Sequence, residues 1–122
     1  MKGFNINIEQ ETLKNKNFRK VLYTGKHSQL VLMKLNPKEE IGMEMHKNVD
    51  QFIRIEKGSA TAIIGKENHK TFKLKKEYFI IIPAGTYHNI INTGRSELKL
   101  YSIYSPPNHK PGTIQKNKPK DD

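Results

Sequence analysis

The stretch Ile80-Ile81-Ile82-Pro83-Ala84-Gly85-Thr86-Tyr87-His88-Asn89 joins a short β-branched run to a Pro-X-Gly turn and a histidine three residues past the glycine. Three isoleucines bounded by turn signals predict a buried strand over Ile80–Ile82 rather than a helical turn. Pro83 has no N–H to give to a ladder, and Gly85 tolerates positive φ, so that strand ends in a tight turn. When the chain resumes a strand, its two-residue period puts His88, Ile90 and Asn92 on one face, and the apolar Ile90 makes that face inward. A single inward imidazole is more often a satisfied core residue than a ligand. A functional reading needs partners from elsewhere in the chain.

Outward from this stretch the pattern is repetitive. Phe4, Ile6 and Ile8 alternate with Asn5 and Asn7, which predicts a half-buried first strand, and Glu9–Asn17 reads as a loop or short helical turn. Further strands are expected over Phe18–Thr24, Gln29–Leu35, Ala60–Ile64, Thr71–Leu74, Phe79–Ile82, Tyr87–Asn92 and Leu98–Tyr104. With Lys34 facing water, Val31, Met33 and Leu35 point inward. Turns fall at Asn36-Pro37, Lys57-Gly58, Gly65–Asn68 and Thr93-Gly94. Eight to ten short strands with no long helix predict an all-β sandwich or barrel. Residues 1–105 are expected to form one domain. Residues 106–122, rich in proline and lysine, are expected to form an extended tail lying on it, with a frayed end.

Composition excludes several classes. The 122 residues contain no cysteine, so disulfide frameworks, thiolate metal sites and cysteine nucleophiles are out. Met1–Asn5 lacks an apolar signal-peptide core, and no apolar run approaches the length of a membrane span, which predicts a cytoplasmic protein with no membrane partner. The net charge is +10, but only three of the 22 basic residues are arginines (Arg19, Arg54, Arg95) and no recognition motif is present. A lysine-solvated surface that attracts anionic metabolites through its field is therefore preferred to nucleic-acid binding.

The partners for His88 lie in Gly42-Met43-Glu44-Met45-His46, followed four residues later by Gln51 and then by Phe52-Ile53-Arg54-Ile55-Glu56-Lys57-Gly58. Glu44 and His46 are two apart, so an extended chain projects them to one side. Gln51 shares parity with Ile53 and Ile55, the natural core pair, while Phe52, Arg54 and Glu56 take the outer face. Glu44, His46 and Gln51 thus converge on one inner wall, with His88 entering from another. His27 and His69 read as surface residues. His109 is expected to be exposed, with the barrel mouth or a neighbouring subunit as the alternative. Tyr104 shares parity with Leu98 and Leu100, so its hydroxyl either enters the pocket or simply packs. Met33, Met43 and Met45 are expected as core filler.

In these residues the chain resembles the cupin superfamily, small single-domain barrels with a double-stranded β-helix (jelly-roll) fold. The family's first motif is approximately His-X-His, four residues, Glu, six residues, Gly. Here it reads Glu44-X-His46, four residues, Gln51, six residues, Gly58. The second is approximately Gly, five residues, Pro-X-Gly, two residues, His, three residues, Asn, and here it is Glu77, five residues, Pro83-Ala84-Gly85, Thr86-Tyr87, His88, three residues, Asn92. The spacing is kept while three residue types change.

The resemblance implies a divalent metal (Zn, Fe, Mn or Ni) held by Glu44, His46, Gln51 and His88; Tyr104, from its parity alone, is the substrate-binding candidate. Two imidazoles, a carboxylate and an amide oxygen suit such an ion. The same four residue types serve zinc in the cupin-fold mannose-6-phosphate isomerases, with the Glu and Gln positions exchanged. The implied function is action on, or binding of, a small oxygenated metabolite such as a sugar derivative, of isomerase, lyase or dioxygenase type. The alternatives are a non-catalytic, metal-free small-molecule binder and a purely structural barrel. Cupin association through sheet edges and outer faces, together with an outward Phe52, predicts a homodimer.

Overall fold

The computed structural model describes residues 2–120 and contains one short helix, α1 (Ile8–Lys14), and nine strands among them. The strands are β1 (Arg19–Thr24), β2 (Gln29–Leu35), β3 (Asp50–Lys57), β4 (Ser59–Ile64), β5 (Lys70–Lys75), β6 (Phe79–Ile82), β7 (His88–Asn92), β8 (Leu98–Ser105) and β9 (Ile114–Gln115). They pair antiparallel into a six-stranded sheet, β6-β3-β8-β2-β1-β9, and a three-stranded sheet, β5-β4-β7. The smaller sheet gains a fourth, irregular member, because residues 38–46 run along β7 with isolated bridges at Glu40–Ile91 and Glu44–His88. Sheets facing each other across one core make the expected double-stranded β-helix. None of the described helices is long and apolar enough to cross a membrane.

The alternating pattern of the sequence becomes the two sides of each strand. Val31, Met33, Leu35, Ile53, Ile55, Ile90, Leu98 and Leu100 are fully enclosed between the sheets. Tyr104 ends the same inward row on β8. Burying such side chains contributes about 1.5–3 kcal/mol each, which is what closes a barrel of modest apolar content.

The motif ends are backbone requirements. Gly58 has φ +92°, and a Cβ there would meet the Glu97 carbonyl oxygen at 2.8 Å. Glu77 also takes a left-handed conformation, φ +75°, while its N–H donates to the Ile55 carbonyl at 2.9 Å. The replacement of the family glycine by Glu77 therefore keeps the turn and puts a strained side chain in it.

Four expectations are corrected. Phe4–Ile8 is not a strand: Asn7 caps α1 by accepting from the Gln10 N–H, and Glu9 and Glu11 sit in the first turn, so capping outweighs the alternation. Phe4 instead stacks on Tyr23. The run Ile80–Ile82 is not buried throughout. β6 is an edge strand paired only with β3, and Phe79 and Ile81, on its outward parity, are more than half exposed while Ile82 is enclosed. Met33 is core, but Met43 and Met45 are exposed. Parity explains this, since turning Glu44 and His46 inward turns their odd-numbered neighbours out. His109, expected on the open surface, is half-buried against Tyr104.

Candidate metal centre

Three backbone segments meet at one end of the barrel. The Pro83-Ala84-Gly85 turn lets Gly85, at φ +81°, donate its N–H to the His46 carbonyl at 2.8 Å. Glu44 and His88 exchange both backbone hydrogen bonds at 2.9 Å. This clamp fixes Glu44 and His46 beside His88, although 42 positions of sequence separate His46 from His88. Asn89 secures the segment on its other side, accepting from the Gly42 N–H and donating to Glu40.

The donor atoms converge. Glu44 Oε1 lies 3.2 Å from His46 Nε2 and 3.4 Å from His88 Nε2, and the ligand atoms of the three residues all fall within 4.8 Å of one another. The imidazole rings are 5.4 Å apart, tilted by 54°. His88 is enclosed, and its Nδ1 hydrogen-bonds the Thr86 carbonyl at 2.9 Å. A carbonyl only accepts, so the ring's Nδ1 carries a proton. In the neutral imidazole Nε2 then presents a lone pair, and that buried atom has no hydrogen-bond partner. Two lone-pair atoms, His88 Nε2 and a carboxylate oxygen, at 3.4 Å repel unless a proton or a cation lies between them.

The electrostatics keep the carboxylate charged. Burial pushes the Glu44 carboxyl up, but the neighbouring His46 and His88 imidazoles outweigh it and hold the pKa at about 2. Tyr104 behaves oppositely: burial, reinforced by the Glu44 charge, raises its pKa well above the ordinary phenol range, so its hydroxyl stays protonated.

Gln51 stands on the inner row of β3, 1% exposed. Its Nε2 donates to Ser102 Oγ at 3.3 Å and to the Tyr104 hydroxyl at 3.2 Å, while its Oε1 is a buried acceptor with no protein partner. Tyr104 in turn meets the His46 ring edge-on at 5.8 Å. His27 and His69 are exposed, away from this group.

One neighbour of the cluster, Arg19, was missed by the sequence reading, and a second, His109, takes the barrel-mouth position that was its alternative rather than the expected exposed one. Arg19, on β1, lines a cavity of about 380 Å³ together with Glu44, Met43, His109 and Gln115. Its shared parity with the buried Val21 was the available signal. His109 is brought in by the tail, and no local pattern announces it.

An antiparallel jelly-roll barrel with a Glu/His/His group at one end defines a small β-barrel protein with a candidate metal site. The comparisons name the class: the chain belongs to the cupin family, whose cupin domain matches residues 31–104. It is 50% identical over 120 residues to YrkC of Bacillus subtilis (strain 168), covering 96% of this chain and 64% of that protein, so it spans less than two thirds of that relative's length. It is also 50% identical over 115 residues to L612 of Acanthamoeba polyphaga mimivirus, covering 93% of this chain and 72% of that one. Among solved structures, BH2720 from Bacillus halodurans superposes with a TM-score of 0.93 at 45% identity, over 96% of this chain and 91% of that one.

Proposed function

We propose that the chain is a divalent-metal cupin that binds or transforms a small oxygenated metabolite. The supporting observation is the donor spacing. Bonds of about 2.0–2.2 Å to a tetrahedral ion place two ligand atoms roughly 3.3–3.6 Å apart. The Glu44–His88 separation, 3.4 Å, falls in that range, and the hydrogen-bonded Glu44–His46 pair, 3.2 Å, lies just below it. Such an ion would also resolve the facing lone pairs of Glu44 and His88.

In this reading Glu44 is the anionic ligand and His46 and His88 are the neutral ones, with His88 oriented by Thr86. Gln51 contributes its otherwise unpartnered Oε1. The ion would be Zn, Fe, Mn or Ni, and it would supply Lewis acidity toward a carbonyl or hydroxyl oxygen. Tyr104, always protonated, offers the substrate a hydrogen-bond donor rather than a base. Glu44 is committed to two imidazoles, so the cluster itself contains no spare general base.

Elemental analysis of the purified, untagged protein tests this, with the expected result of about one divalent ion per chain and a lowered melting temperature after chelation. A metal-free protein whose melting is indifferent to chelators would leave the metal-free binder. Gln51→Glu should stay metallated. We also propose a cytoplasmic homodimer that covers Phe79 and Ile81 on β6; a monomeric mass by light scattering at micromolar concentration would contradict the dimer.

A further inference from the structure

At the end of the barrel away from the ligand cluster, the small sheet frames a second space. On the β4–β7 ladder Ile64 pairs with His88 and Ala60 with Asn92, so Ala60 lies about 13 Å along the sheet from the His88 rung. A cavity of about 330 Å³ opens there between Ser59, Lys73, Lys75, Tyr78 and Thr93. Its apolar floor is Ala60 and Leu74, both buried in the core.

Register builds the wall. Ser59 stands opposite Lys75 and Thr61 opposite Lys73 on the β4–β5 ladder, so the two-residue period puts two lysines and two hydroxyls on one face. Lysines on an edge strand ordinarily reach into water and guard the edge against pairing. β5 is such an edge, yet both side chains are drawn back over the protein. Lys73 Nζ donates to Thr61 Oγ1 on the neighbouring strand at 3.1 Å, and Thr61 Oγ1 shares a 3.0 Å hydrogen bond with Thr93 Oγ1. Lys75 Nζ lies 5.8 Å from the centre of the Tyr78 ring. Tyr78 is itself fixed, its N–H donating to the Lys75 carbonyl and its carbonyl accepting from the Ile55 N–H, each at 2.9 Å.

The charge of this wall has no counterpart. No carboxylate lines the cavity, and among the described residues neither Lys73 nor Lys75 forms an ion pair. Each ammonium has three donors, of which Lys73 uses one on Thr61. Thr61, accepting from Lys73, can donate to Thr93, which leaves the Thr93 proton for an acceptor in the cavity. Compact ammonium groups act on phosphate as point charges, whereas a bidentate grip on a carboxylate needs a guanidinium, and no arginine lines this space. The size suits a small organic molecule, and the floor suits its carbon part.

We propose that this cavity binds a small phosphate monoester, with the phosphate held by Lys73, Lys75 and the Thr93 hydroxyl and the organic part lying on Ala60, Leu74 and Tyr78. The site is separate from the Glu44 cluster and does not rest on the metal reading.

The test is calorimetric titration of the full chain, as purified, with phenyl phosphate, phenol, inorganic phosphate and a short oligothymidylate. Phenyl phosphate is expected to bind, with phenol and inorganic phosphate each at least threefold weaker. The double variant Lys73→Gln/Lys75→Gln should lose at least tenfold in phenyl phosphate affinity, since both charged donors are gone. Lys66→Gln/Lys70→Gln removes the same charge beside the same sheet without touching the cavity, and should bind as the wild type does. Thr93→Val should bind more weakly than wild type while keeping its melting curve. No binding of phenyl phosphate, or wild-type affinity in Lys73→Gln/Lys75→Gln, overturns the site. Equal losses in the two double variants show attraction by the general field of a chain with net charge +10, and overturn it as well. Inorganic phosphate bound as tightly as phenyl phosphate overturns the monoester assignment, and oligothymidylate bound more tightly through Lys73 and Lys75 overturns the small-molecule assignment in favour of a nucleic-acid backbone.

Discussion

Glu44 is half-buried and Glu56 buried, and their environments drive them in opposite directions. Glu44 lies inside the barrel mouth with two imidazole nitrogens within 3.4 Å, and its carboxyl is held at a pKa of about 2. Glu56 lies on the outer face of β3, 3% exposed, and its carboxyl is pushed up by burial, opposed by the charges of Arg54 and Lys76 and reinforced by those of Glu9 and Glu77. Its one close cationic contact is Arg54 Nε at 3.6 Å, on a side chain that is 39% exposed to solvent. The contrast is one of donors. Two ring nitrogens converge on the inner carboxylate, whereas the outer one has a single distant guanidinium edge among neighbours of both signs. A half-buried carboxylate on which lone-pair donors converge is the arrangement the proposed cation site needs; a buried one without them is an electrostatic burden that packing tolerates.

Acid should separate the two most strongly. The folded pKa of Glu44 lies below its ordinary value of 4.5, so its contribution to stability is complete above pH 4.5 and is lost as the pH falls toward 2. Over that window the urea midpoint of the metal-free wild type should fall more steeply than that of Glu44→Gln. Parallel acid profiles would break the inner half of the comparison.

The outer face has a buried cation of its own, whose pKa burial pushes down. Lys99, 6% exposed on β8, donates to the Leu13 carbonyl at 2.6 Å and so holds the end of α1 against the sheet. A hydrogen bond from a charged donor is worth about 1.5–3 kcal/mol, and Lys99→Ala should cost that much by urea unfolding.

Glu77→Gly relieves a left-handed side-chain conformation worth about 1–3 kcal/mol but returns glycine's backbone entropy of roughly 0.5–1 kcal/mol. A net gain of about 1 kcal/mol, within roughly 0–2.5 kcal/mol, is expected and readable in the melting temperature. The smallest effect belongs to Glu56→Gln. With a raised folded pKa the ionised form costs stability at neutral pH, and that cost disappears as the pH falls toward 4.5. The variant should have a higher urea midpoint than wild type at pH 7, with the advantage closing on acidification. Because Glu77 helps to raise the Glu56 carboxyl, the gain should be smaller in the Glu77→Gly background.

Much of the inner face was legible in advance, because strand parity is a local property. Ile53, Ile55 and Gln51 on β3, and His88, Ile90 and Asn92 on β7, are all buried on the face their alternation assigns. The errors have different physical origins. Asn7 turns an alternating N-terminal segment into a helix by capping it, a choice that a period-two pattern does not register. Phe79 and Ile81 sit on a sheet edge, and an edge is a property of topology rather than of the run itself. His109 reaches the barrel through Gln29, 80 residues earlier, and nothing near it in sequence signals that contact. Arg19 was readable from its parity with Val21.

The central claim is that Glu44 is the anionic member of a cation-binding group and Glu56 is not. Calorimetric zinc titration of chelator-stripped wild type, Glu44→Gln and Glu56→Gln measures this directly. Loss of a residue that merely orients a ligand costs about 10–100-fold in metal affinity, so removing the ligand charge should cost at least that much. Wild type and Glu56→Gln should bind one zinc per chain with equal affinity, and Glu44→Gln should bind it at least tenfold more weakly. Equal affinity in all three proteins, or no zinc bound by the wild type, would contradict the account.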